Sequence, residues 1–172
     1  MKLIPVLAVL LSSCSEEKQA DNPSAPVKGD ELAAVLLEAA PQEPLEIAEI
    51  RKSAKPGETV TFSGLVMGKE VVFMDSRAVL TLGDPGKMTP CGPEEGCETP
   101  WDVCCDDPEV VNAAIITVQV VDENGKVLKK GLKGVGGMTE LSSLTVTGEV
   151  AEGSNADNMV VNATGIFVTP KS

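Results

Sequence analysis

Four cysteines, Cys91, Cys97, Cys104 and Cys105, follow the pattern C-x5-C-x6-C-C and are the side chains of this sequence best suited to chemistry. Between Met88 and Asn112 they share a stretch with seven acids (Glu94, Glu95, Glu98, Asp102, Asp106, Asp107, Glu109), the only tryptophan, Trp101, and no Lys or Arg. Three kinds of sulfur chemistry fit such a cluster. In an oxidising compartment an even number of cysteines pairs into disulfides. A Cys104–Cys105 bond would close a strained ring across one peptide. Two pairings remain: Cys91–Cys104 with Cys97–Cys105, or Cys91–Cys105 with Cys97–Cys104. A bridge over about 15 residues contributes roughly 3 kcal/mol, enough to staple a loop poor in apolar residues. Kept reduced, the same four thiolates could hold Zn²⁺, or Cu(I) with help from Met88, although the C-x2-C spacing of zinc knuckles is absent. Vicinal thiols could also cycle between dithiol and disulfide. There is no C-x-x-C motif, however, and the acids would raise the thiol pKa and slow attack. The expectation is a disulfide-stapled acidic loop, with metal or redox handling by Cys91, Cys97, Cys104 and Cys105 as the alternative. A Ca²⁺ loop is not expected, because the acids follow no calcium-loop spacing.

The remaining composition narrows the function classes. The chain has 172 residues, no histidine, 14 basic and 26 acidic residues, and a formal net charge of −12. Without histidine there is no Ser-His or Cys-His nucleophile pair and no imidazole metal ligand. The charge sign argues against nucleic acid, whose phosphates are met by Lys and Arg, and against an anionic lipid surface. A cation, peptide or protein ligand remains compatible. Lys126, Lys129, Lys130 and Lys133 form the one basic cluster. Gly131–Met138 is glycine-rich but lacks the order of a phosphate loop, so it is expected to be a connector. No cofactor motif and no catalytic residue can be assigned, and a non-enzymatic binding or structural module is expected.

The elements that must position the cysteines begin with an address. Met1-Lys2 is a short positive start, and Leu3–Leu11 is an apolar run too short to cross a bilayer, which needs about 20 helical residues. Leu11-Ser12-Ser13-Cys14 resembles the bacterial lipobox, in which the cysteine is acylated and becomes the new N-terminus. That resemblance implies a signal peptide over 1–13, a lipidated Cys14 (thioether diacylglycerol and palmitate) and a flexible tether over 14–29. It further implies a cell-envelope lipoprotein held to the membrane by its lipid, with its domain in the periplasm. Ser15, where an aspartate would signal inner-membrane retention, favours the outer membrane.

A helical segment is expected over 30–54. Asp30 caps a helix that Pro41 stops, and Leu32, Val35, Leu36 and Ala39 share one face. Leu45–Arg51 reads as either helical turns or a strand. From 55 to 170 the pattern is β. Thr59–Met67, Val71–Met74, Ala78–Leu82, Ala114–Val121, Ser143–Val150 and Val160–Val168 are strand-like runs, with an Asn-Gly hairpin turn at Asn124-Gly125. The phrases GETVTFSGLVMG, VVFMDSRAVLTL, LTVTGEV and VVNATGIFV resemble the OB-fold of small exported bacterial envelope proteins, over roughly residues 56–168. The resemblance implies a mostly β, small Greek-key barrel, with an N-terminal helix and a Cys-rich insert over 84–112. The sequence departs from the family where a helix usually joins the third and fourth strands. Glycines inside three of the strands (Gly64, Gly148, Gly165) suit the tight curvature of a small barrel.

Overall fold

The computed structural model describes residues 31–171; the expected signal peptide, Cys14 and tether lie outside the described residues. Five strands form a closed barrel: β2 Thr59–Leu65, β3 Val79–Gly83, β4 Ile115–Gln119, β5 Ser143–Val150 and β6 Val160–Val168. Their order is β2-β3-β4-β6-β5, and β5 pairs back onto β2 to close the ring. All barrel pairings are antiparallel except β4 with β6, which is parallel. This is the Greek-key, OB-like barrel that the sequence implied. A two-residue β1, Leu45–Glu46, adds in parallel outside β2 and runs directly into α1, Ile47–Ser53.

Alternation along the strands builds the core. Phe62, Leu80, Leu82, Ile116, Val118, Leu144, Val146, Val161 and Ile166 point inward and are essentially solvent-free. The connector between β4 and β5 has no α-helix; it makes a 3₁₀ turn at Val135–Gly137 and sends Leu132 and Met138 into the same core. Gly148 faces a bulge in β6, where Thr164 is the extra residue between Ala163 and Gly165, and a Cβ on Gly148 would lie 2.4 Å from the Asn162 carbonyl oxygen. Only glycine allows the two strands so close.

Two expectations are corrected. Residues 31–40 contain no helix: Glu31–Val35 forms turns, and Leu36 makes a parallel bridge with Ile166. The reason is an open strand edge. β6 pairs with β4 only over Val160–Asn162, so its later half would leave backbone groups unpaired. Val35 and Leu37 fill that edge: Ile166 N–H donates to Val35 O at 2.7 Å, and Leu37 N–H to Ile166 O at 2.9 Å. The helical part of 30–54 is α1 alone. Second, Val71–Met74 is not a strand but an irregular segment bridged once, Phe73 to Leu80. Among the described residues no helix is long and apolar enough to cross a membrane.

Candidate metal centre

The insert is the loop of the β3–β4 hairpin. At its neck Asp84 N–H donates to Ala114 O at 2.9 Å, one step beyond the Gly83–Ile115 pair. Asp84 is 1% exposed, and both carboxylate oxygens are used. Oδ2 accepts the Ala48 N–H at the start of α1 (2.9 Å), and Oδ1 accepts the Gly86 N–H (2.8 Å). One buried acid thus caps the helix and fixes the insert's departure angle. The Asp84-Pro85-Gly86 turn signature was readable, but the helix it caps lies far away in sequence.

Above the neck a small second core forms from Met67, Met88, Val103, Ala114 and Ile115, with Trp101 lying against both this cluster and the barrel core. Met88, considered above as a soft ligand, is spent on this packing and is 1% exposed. Trp101 is held at both ends: its carbonyl accepts from Gly68 N–H (2.7 Å), and its Nε1–H donates to Glu70 O (3.0 Å). The insert leaves this core through 3₁₀ turns at Pro93–Glu95 and Pro100–Asp102 and returns through α2, Pro108–Ala113. The sequence reading missed α2. Its signal was Asp107-Pro108-Glu109, a cap followed by proline at the first helical position, and Asp107 Oδ1 does accept the Glu109 N–H at 2.8 Å.

The turns bring the four sulfurs together. Cys91 is buried, its N–H donating to Pro100 O at 2.9 Å; Cys97 is half-buried, and Cys104 and Cys105 are exposed. Val103 adopts a left-handed conformation, φ 50°, which reverses the chain so that Cys104 and Cys105 turn back toward Cys91. Asp102 fixes this reversal: its Oδ1 accepts the Cys104 N–H (2.9 Å), and its Oδ2 accepts the Thr99 hydroxyl (2.7 Å). These two bonds, Thr99 first, hold the Asp102 carboxyl below its usual pKa. The Sγ atoms of Cys91, Cys104 and Cys105 all lie within 4.8 Å of one another; Cys97 stands beside this set, near enough for its thiol to feel Cys91, Cys104 and Cys105.

All four cysteines are free, so neither of the two expected disulfide pairings is formed. Cys104 and Cys105 Sγ are 4.0 Å apart, about twice a disulfide's length of about 2.05 Å. The sulfurs converge on one region instead of standing in two pairs. Crowding makes Cys91, Cys97 and Cys104 hold their protons. Cys91 is pushed up to about 11 by its hydrogen bond with Cys97 and by loss of solvent. Cys104 is pushed up to about 11 by Asp102 and then Cys105. For Cys97 the bond with Cys91 works downward, but desolvation and the other sulfurs outweigh it.

The donor set fits a thiophilic cation. A tetrahedral Zn²⁺ with Zn–S near 2.3 Å spaces its sulfurs about 3.8 Å apart, close to the 4.0 Å between Cys104 and Cys105 and within the 4.8 Å that spans Cys91, Cys104 and Cys105. The acids are engaged differently, since Glu95, Asp102, Asp106 and Asp107 each accept a backbone N–H of the insert itself. No family model, no curated protein and no solved structure matches this chain.

Proposed function

We propose that this chain is a lipid-anchored envelope protein whose OB-like barrel carries a thiolate centre for one thiophilic cation, Zn²⁺ in the first instance. Export and acylation rest on the Leu11–Cys14 motif and the polar tether behind it. The metal reading rests on a single observation, the convergence of Cys91, Cys104 and Cys105 as free thiols, with free Cys97 beside them as the fourth donor that loading would draw in. Loading balances as Zn²⁺ plus four thiols giving a zinc tetrathiolate of charge −2 and four protons. Seven acids and no base in the surrounding stretch draw a cation inward and repel anions. Coordination also reconciles reduced sulfur with an oxidising compartment, because a metal-bound thiolate is withdrawn from exchange. The role that follows is non-enzymatic: holding or buffering a metal ion, or using it to fix the insert as a binding surface.

The test is elemental analysis and intact mass of the full chain, isolated from the envelope without reductant. One zinc per chain is expected, with four thiols titrating only after a chelator is added. Cys104→Ser, at an exposed position, should weaken zinc binding by roughly a hundredfold or more while leaving the circular dichroism spectrum intact. Two disulfides and no metal would overturn the metal reading in favour of a disulfide-stapled binding module.

A further inference from the structure

A second concave site lies between α1, α2 and the β5–β6 loop, a cleft of about 660 Å³. Its volume falls within the range of small-molecule sites, about 300–1,000 Å³. Arg51 and Lys52 enter from α1, Lys87 from the start of the insert, Glu109 and Val110 from α2, and Asp157 from the β5–β6 loop. Three cations against two acids is an inversion of sign in a chain of net charge −12.

Arg51 is the central group. Its guanidinium is half-buried, and desolvation pulls its pKa down while Asp157 pulls it up. Nη2 donates to Ala156 O at 2.5 Å, which ties the side chain to the loop and fixes its direction. A guanidinium has five N–H donors in a planar fork, so one such bond leaves capacity for a planar oxyanion. Opposite the charges stands an apolar wall. Val110 is 43% exposed, one of the few large apolar side chains open to solvent among the described residues, and Ala113 continues its surface.

We propose that this cleft binds a small organic oxyanion, a carboxylate or phosphate head on a short apolar body. Arg51 and Lys87 take the head, and Val110 and Ala113 take the body. The proposal is independent of the thiolate centre. The test is a ¹H–¹⁵N titration of the full chain with benzoate, inorganic phosphate and neutral benzamide, each to about 20 mM, where millimolar affinity is visible. Benzoate should give saturable shifts at the amides of Arg51, Val110, Ala113 and Ala156, and benzamide should not. Saturation by phosphate at the same amides assigns a general oxyanion head; saturation by benzoate alone assigns a carboxylate. Arg51→Gln should weaken benzoate at least tenfold, and exposed Lys87→Gln carries the same test should the first variant fail to fold. Three results overturn the proposal: no saturation by either anion, affinity unchanged in the folded variant, or shifts centred on Lys126–Lys133.

Discussion

Asp84 shows how one side chain joins barrel, helix and insert. Removing its carboxylate in Asp84→Ala strands the Ala48 and Gly86 N–H groups, one of them at a helix start, and should cost about 2–4 kcal/mol in urea denaturation. Asp84→Asn keeps one acceptor oxygen and should cost less. The cysteines make a second residue-scale prediction, about pH. In the metal-free fold Cys91 and Cys104 hold their protons to about 11, against 9.0 for an unperturbed thiol. The folded state therefore binds these protons more tightly than the unfolded chain. Their contribution to stability is complete below pH 9 and lost as pH rises through 11. Thermal melts of chelator-treated protein should decline over that window, and the decline should be shallower in Cys104→Ser.

At the scale of elements, legibility depended on how local each determinant is. Ser143–Val150 and Val160–Val168 stand in the structure with the bounds read from alternation, because each is paired along much of its length and one of its faces is buried. The 30–40 segment failed for an instructive reason. Its periodicity marked Leu32, Val35, Leu36 and Ala39; the first three pack on the core, while Ala39 is exposed. Burial spacing cannot report that the second half of β6 lacks a partner on its β4 side, and that open edge set the conformation. The sulfur cluster was legible as a cluster but not as an arrangement. Pairing or convergence depends on the path from Cys97 to Cys104, through the Pro100–Asp102 turn and the left-handed Val103. No rule of cysteine spacing encodes that reversal. The Arg51 cleft was invisible in the sequence because its walls come from α1, both ends of the insert and a loop beyond β5.

For the molecule as a whole, the net charge of −12 resolves into local roles. Several acids of the insert accept their own backbone N–H groups, and three cations, Arg51, Lys52 and Lys87, meet beside α1. Barrel and insert also have separate sources of stability: a closed ring of strands around one core, and a small second core with its thiols above the neck. Withdrawing metal from the loaded protein with a chelator should therefore shift Trp101 fluorescence while leaving the far-ultraviolet spectrum of the barrel unchanged. Simultaneous loss of both signals would show that the two parts unfold together. The closed neck has a further consequence. Asp84 and Ala114 meet as the ends of any tight hairpin would, and closure entropy grows by only about 0.6 kcal/mol for each doubling of loop length, so a long loop costs the hairpin little more than a short one. In evolutionary terms the insert is a cassette. A lineage could acquire, exchange or discard it through this one junction, with the strand order on either side undisturbed.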